Sequence, residues 1–377
     1  MRRWLSVVLI LGLGIAVGAA KPRPQAPDAN ARVGVVTRVF HPAEMRNWRG
    51  AEKKELDAVV WYPAVDTAVE TKQYVGDPDA PLFDAGSAMP HAGFAPHLER
   101  LPLVLLSHGT GGSALQMAWL GTALARAGYI AVAVDHPGNN ANGKLTPEGF
   151  ALWWERATDL SNVLDAMLKD EEFGPRIDAT RVAAAGYSLG GYTVLELAGA
   201  QTDISLFFDK CRVKPGETKP SADSAVCHVP EMRGVGSIDD ILQATRKTSG
   251  ESLARSGGLY RDPRVKAVFA IAPALGFTQT PESLRAIRTP VEMVAGTEDR
   301  IAPPAENADY LRANMRGARE TVLPGVGHYT FLNVCTAQGQ RQMSQYCDEA
   351  PGIERAVVHA QVAAMAVTFF DRALKWR

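Results

Sequence analysis

Three residues far apart in the chain have the types and settings needed to break an acyl bond together. Ser188 stands in Gly186-Tyr187-Ser188-Leu189-Gly190, after the apolar run Val182-Ala-Ala-Ala185 and before Tyr192-Thr-Val-Leu-Glu-Leu-Ala198, which has helical character. A serine between glycines where a strand turns into a helix is forced into a tight bend that lifts its hydroxyl clear of the sheet. That hydroxyl attacks a carbonyl only if a base takes its proton, and the base needs a third group to hold its tautomer. Asp299 follows the run Val291-Glu-Met-Val-Ala295 and His328 follows Glu320-Thr-Val-Leu323, so each leaves the carboxyl end of a predicted strand. Glu298 is a rival acid, but the short side chain of Asp299 suits a position just past a strand end.

The attack creates a negatively charged oxygen, which needs two N–H donors in place before it forms. The backbone N–H of Leu189, opening the helix after the serine, is the first candidate. The second comes from Ser107-His108-Gly109-Thr110-Gly111-Gly112, where glycines on both sides of Thr110 let the main chain approach a substrate closely. Thr110 N–H is the expected donor there, and His108 is expected to position the loop rather than to move protons. Trp153, Trp154 and Tyr187 are candidate walls of a substrate pocket, although aromatic residues at a helix start also serve as packing.

A parallel sheet would hold these groups. Leu103-Val-Leu-Leu106, Tyr129-Ile-Ala-Val-Ala-Val134, Val182 to Ala185 and Val265-Lys-Ala-Val-Phe-Ala-Ile271 are short apolar runs separated by segments of helical spacing, 115–127 and 151–169. Strands buried on both faces look like this. The expected fold class is α/β, with a mostly parallel doubly wound sheet. An antiparallel hairpin from Val33–Phe40 and Leu56–Tyr62 opens it, and a helix from about Ile353 to Lys375 closes the chain. The Pro- and Gly-rich stretch 76–102 reads as a separator. Residues 202–263 break the strand-helix rhythm and read as a lid-like insertion before the sixth strand, within one domain spanning 33–377.

Composition excludes several other classes. Hydrophobic residues make up 46% and charged residues 21% of 377, an ordinary globular mixture. Lys plus Arg (40) nearly cancels Asp plus Glu (41), leaving a net charge of −1 and no electrostatic footprint for nucleic acid. Arg2-Arg3, an apolar run from Trp4 to Val17 and Gly18-Ala-Ala20 read as a secretory signal peptide over residues 1–20, with a lead-in over 21–32. The run is shorter than the ~20 residues that span a bilayer, so no stable membrane span is expected once it is removed. Export permits disulfides, and sequence proximity suggests Cys211 with Cys227 and Cys335 with Cys347, one of three possible connectivities. No C-x-x-C or His-Cys cluster has ligand spacing, so neither a metal nor a cofactor is expected.

As an ordered set, Leu105-Leu-Ser-His-Gly-Thr-Gly-Gly, Tyr129 to Asp135-His-Pro-Gly, Gly186-Tyr-Ser-Leu-Gly-Gly, Gly296-Thr-Glu-Asp and Gly327-His328 resemble the α/β-hydrolases. More narrowly they are similar to secreted esterases of the dienelactone hydrolase and platelet-activating factor acetylhydrolase group. The resemblance implies Ser188 as nucleophile, Asp299 as acid, His328 as base, and Thr110 and Leu189 as oxyanion donors. Asp299-Arg-Ile-Ala-Pro also resembles cutinase-like polyester hydrolases. Two departures matter: dienelactone hydrolases use a cysteine where Ser188 stands, and the minimal cutinases have no counterpart of 202–263.

The expected activity is therefore cleavage of a small, short to medium acyl ester through an acyl-enzyme, by a secreted or periplasmic protein. An amidase or peptidase and a polyester hydrolase on the same scaffold are alternatives. A non-catalytic binding module is disfavoured because nucleophile, base, acid and donor loop are all present.

Overall fold

The computed structural model describes residues 31–374 apart from 44, 97–99 and 212–224. The expected leader, 1–20, and nearly all of the lead-in fall outside the described residues. Among the described residues eleven strands form one mixed sheet: β1 (Arg32–Phe40), β2 (Leu56–Ala64), β3 (Thr71–Asp77), β4 (Ala80–Pro90), β5 (Leu101–Ser107), β6 (Ile130–Val134), β7 (Ile177–Tyr187), β8 (Val265–Ile271), β9 (Val291–Gly296), β10 (Arg319–Leu323) and β11 (Val334–Cys335). The order is β10-β9-β8-β7-β5-β6-β2-β1-β4-β11, with β3 paired to β4. The strands from β10 to β6 in that order are parallel, and β2 pairs antiparallel with β6 and with β1. This is the α/β-hydrolase fold expected from the sequence, opened by the expected hairpin.

One part differs. The stretch read as a separator contains most of the β3–β4 ribbon, whose outer strand is largely exposed. A ribbon with so much surface in water does not need the continuous apolar run that marks a buried strand.

Burial on both faces explains why β5 is apolar from Leu101 to Leu106. Leu103 and Leu105 join the core shared with α3 (Glu155–Lys169) and α4 (Leu189–Ala198). Val104 and Leu106 join the opposite core, with α1 (Ala118–Arg126) and α12 (Arg355–Leu374). Helix α12 is long and apolar enough to cross a membrane by length and composition, yet Val362, Ala366 and Phe370 are fully covered by this core. Between α1 and α3 lies the short helix α2 (Pro147–Ala151), so the predicted helix 151–169 starts later, after a break at 152–154.

Between α4 and β8 lie α5 (Ile204–Cys211), α6 (Ala225–Met232) and α7 (Ile238–Ala254), the stretch read as an insertion. Cys211 and Cys227 are bridged, tying α5 to α6, and Cys335 is bridged to Cys347, as sequence proximity suggested. The remaining helices, α8 (Pro281–Ala286), α9 (Ala308–Asn314), α10 (Ala337–Gln342) and α11 (Ser344–Cys347), fill the connections late in the chain.

The strand order reverses at β5, with β6 on one side of it and β7 on the other. In open α/β sheets the crevice at such a point, outside the carboxyl ends of the strands, is where ligands sit.

Candidate active site

Register brings the serine turn and the donor loop together. Ser107, the last residue of β5, pairs with Gly186 of β7, so the segments that follow them leave the sheet side by side. Ser188 adopts φ 56°, ψ −120°, a left-handed backbone that is strained for a residue with a Cβ. The bend is held by hydrogen bonds from Ser188 N to Ile271 O (2.8 Å) and from Ala274 N to Ser188 O (3.1 Å). The flanking glycine is needed for space: a Cβ on Gly190 would lie 1.9 Å from the Ser107 carbonyl oxygen.

Asp299 and His328 come from the ends of β9 and β10, which are register partners at Gly296 and Leu323. Ser188 Oγ lies 2.9 Å from His328 Nε2, and His328 Nδ1 lies 2.7 Å from Asp299 Oδ2. The carboxylate requires Nδ1 to carry the proton, which leaves Nε2 free to accept the serine O–H. The other oxygen of Asp299 accepts from Ile301 N (3.0 Å) and Ala302 N (2.7 Å), so the acid is fixed on both sides. All three residues are buried, whereas Glu298 is exposed to solvent.

Thr110 sits in a turn closed by Gly112 N to Gly109 O (3.1 Å), with Gly111 at φ 62°. That positive φ at the third residue is the requirement of a type II turn and explains the glycine there. Leu189 is the first residue of α4, where backbone N–H groups have no intrahelical acceptor. Both Thr110 and Leu189 line a cleft of about 860 Å³, its open mouth included, together with Ser188 and His328.

Of the expected pocket walls, Trp153 and Tyr187 line this cleft. Trp154 does not. It is fully covered, its indole N–H donates to Ser252 O (3.1 Å), and it belongs to the core. Adjacent residues at the start of a helix point in different directions, so only one of the pair can face the cleft. Phe150, Phe207 and Leu275 supply further apolar wall. The Tyr187 hydroxyl donates to His328 O (3.0 Å), bracing the histidine loop.

Beneath the donor loop is a buried polar network. His108 Nδ1 donates to Gly109 O (2.6 Å) and its Nε2 accepts from His136 N (3.2 Å), so its tautomer is fixed and its ring neutral. Burial, with Arg156 nearby, drives its pKa well below the usual histidine value. Arg156, entirely covered, donates to His108 O and to Asn139 Oδ1 (3.3 Å), and Asn139 Oδ1 accepts Gly111 N–H (2.8 Å). Burial lowers the Arg156 pKa to about 9. Asp159 contacts Arg49 (2.5 Å) and His136 (2.7 Å), and burial lifts it to about 6 against the pull of Arg49. His108 and His136 lie in motifs visible in the sequence, but Arg49, Arg156 and Asp159 carry no such mark, because they are single polar residues from separate elements. Among the described residues no three His, Cys, Asp or Glu side chains converge to hold a metal ion.

Residues 103–336 match the alpha/beta hydrolase family. The chain belongs to that family. Among curated relatives, a cutinase (est1) of Thermobifida alba is 34% identical over 103 residues, 27% of this chain and 31% of the relative. The acylamino-acid-releasing enzyme of Sus scrofa is 23% identical over 225 residues, 58% of this chain and 27% of the relative. The chain thus spans about a third or less of the length of these relatives. Among solved structures, a ferulic acid esterase from Streptomyces cinnamoneus superposes with a TM-score of 0.61 at 22% identity, covering 95% of this chain and 94% of that one. The hydrolase fold therefore extends well beyond the matched motifs. The narrower likeness to dienelactone hydrolases and platelet-activating factor acetylhydrolases rests on the motifs alone.

Proposed function

We propose that this α/β-hydrolase is a serine esterase cleaving small carboxylic esters. The observation that carries the reading is the unbroken chain of contacts from Ser188 Oγ through His328 to Asp299, at 2.9 and 2.7 Å. His328 Nε2 takes the Ser188 proton as Oγ attacks the ester carbonyl carbon, and the carbonyl oxygen becomes an anion facing Thr110 N–H and Leu189 N–H. As the C–O bond breaks, His328 returns that proton to the departing alcohol. A water molecule, deprotonated by the same nitrogen, then attacks the acyl-serine and releases the acid. Asp299 keeps the imidazole oriented and stabilises its charged form. No metal or redox group takes part in these steps.

A short to medium acyl group suits the cleft. Phe150, Trp153, Phe207 and Leu275 form its apolar wall, and residues of α5 and α6 roof it. Segment 202–263 is thus read as a lid-like insertion. That roof favours small esters over an extended polyester surface, which the likeness to cutinases would otherwise suggest. The match to the acylamino-acid-releasing enzyme keeps amide substrates as the second reading. Two disulfides fit the oxidising compartment that the N-terminal leader implies.

The test is a panel of p-nitrophenyl acetate, butyrate and octanoate beside a peptide p-nitroanilide, with wild type and Ser188→Ala. Ester turnover that peaks at short or medium chains and vanishes in the variant is expected. Preferential cleavage of the anilide would move the protein to the amidases. Failure of a fluorophosphonate to label Ser188 would remove it from the serine hydrolases altogether.

A further inference from the structure

Arg233 follows the end of α6, and its backbone N–H is held by Val229 O and Pro230 O (both 3.2 Å). Its side chain reaches the cleft over the oxyanion turn: a Cβ built on Gly111 would lie 3.5 Å from Arg233 Cζ and from Nε. The guanidinium sits 5.5 Å from the centre of the Tyr346 ring. Its one hydrogen bond to a described group is a long contact from Nη2 to Thr110 O (3.5 Å). Five N–H donors are available on such a group, so nearly all remain unused.

The surroundings sharpen the point. Among the described residues the cleft is lined by Ser, Thr, Asn, Gln, Tyr, His, Arg and apolar residues, with no Asp or Glu. Among the described residues of that lining Arg233 is the one that is permanently charged, and no described carboxylate pairs with it. Burial pushes the Tyr187 and Tyr329 phenols up, Tyr329 to about 12, and Arg233 is among the charges that pull them back, so its field extends through the cleft. Structural arginines elsewhere in the molecule differ. Arg126, Arg264 and Arg355 each meet a carboxylate within 2.7 Å.

We propose that Arg233 makes this esterase selective for esters that also bear a carboxylate, which the guanidinium holds beside the oxyanion turn while the apolar wall takes the hydrocarbon part. The proposal rests on the esterase reading and names its substrate class. A planar guanidinium binds a carboxylate through two parallel N–H bonds, a geometry that selects position as well as charge. The apolar wall alone would rank esters by size, and Arg233 adds a second requirement.

Two matched pairs test it, each differing only in charge: monoethyl adipate against its neutral monoamide, and 4-acetoxybenzoate against 4-acetoxybenzamide. The first pair carries the charge on the acyl side and the second on the alcohol side. For wild type, kcat/KM of the carboxylate member exceeds that of its amide by about tenfold in at least one pair, mainly through KM. Arg233→Gln collapses that ratio toward one, and Arg233→Lys restores part of it. The ratio within each variant is the reading, so a general loss of activity or stability cancels. A wild-type ratio of one or less in both pairs overturns the proposal. So does a ratio that persists in Arg233→Gln; if kcat then falls equally on both members, Arg233 is an aid to the oxyanion instead. Turnover of p-nitrophenyl butyrate separates the two levels: if it is cleaved, only the selectivity has failed, and if no ester is cleaved the esterase reading falls as well.

Discussion

Arg156 of α3 donates to the carbonyl oxygen of His108, two residues before Thr110 in the turn proposed to hold the oxyanion. Its Nη1 also meets Asn139 Oδ1 (3.3 Å), which accepts the Gly111 N–H on the other side of Thr110 (2.8 Å). One guanidinium with no exposure to solvent thus holds both flanks of the residue whose N–H is proposed to receive the oxyanion. Preorganised donors stabilise a transition state because they need not move when charge develops.

On the proposed mechanism Arg156 acts as a positioning residue. Arg156→Lys keeps a basic nitrogen at the site but cannot span Thr193 Oγ1, Asn139 and His108 together. The expected outcome is a fall in kcat of about 10- to 100-fold with little change in KM, since one oxyanion donor is worth roughly 3 kcal/mol and would be misplaced rather than removed. A purely structural role would lower the melting temperature and leave kcat per folded molecule intact. Steady-state kinetics on protein checked by thermal denaturation distinguishes the two.

Asp299→Asn retains the shape of the acid but presents the wrong hydrogen-bonding group to His328 Nδ1. Ester hydrolysis should drop by about 10,000-fold. Glu298→Gln, one residue away and exposed, should change the rate by less than about twofold. Comparable losses in the two variants would show that the carboxylate contact seen at 2.7 Å is not the one that matters.

Glu196 gives a prediction for pH. It is fully covered in α4, accepts from Thr202 Oγ1 (2.6 Å), and has Oε2 unpartnered, so burial raises its pKa to about 8. Unfolded, the same carboxyl ionises near 4.5. The folded state therefore holds a proton that the unfolded state releases, and stability from this group is present at low pH and lost as pH rises from about 4.5 to about 8. Glu196→Gln, which cannot ionise, should lose less melting temperature between pH 6 and pH 9 than wild type does. The difference should exceed about 2 °C. Identical pH slopes for the two proteins would mean that Glu196 is ionised when folded.

The Cys335–Cys347 bridge closes a loop behind the histidine. Tyr346, next to Cys347, packs edge-on against Tyr329 at 4.8 Å, and Tyr329 follows His328. Replacing both cysteines by serine should cost about 3 kcal/mol of stability, the entropy of a loop this short. It should also raise KM, because Tyr329 and Tyr346 form one side of the cleft. Denaturant melts and kinetics on the same preparation measure both effects, and an unchanged KM would uncouple the bridge from the cleft wall.

Much of this molecule was legible before any coordinates. That Ser188, Asp299 and His328 could meet is legible because each follows a β-rich run and glycine clusters mark the turns, and the structure brings the three side chains into contact. The parallel strands were legible because burial on both faces demands unbroken apolar runs, as in Leu103–Leu106 of β5. The β3–β4 ribbon was not, since its exposed outer strand leaves no such mark, and Trp153 and Trp154 could not be told apart because helix periodicity gives a face without saying which neighbour it meets.

The sequence by itself determined the order of strands and helices and the chemical types at the strand ends, because local backbone preference and solvent exclusion act on neighbouring residues. Only the tertiary structure decided that Ser107 pairs with Gly186, that Arg156 reaches beneath the Thr110 turn, and that Arg233 stands in the cleft without a described carboxylate partner. Those relations depend on register and on which side chains the packed core leaves within a few ångströms of one another, and neither is encoded in any single stretch of chain.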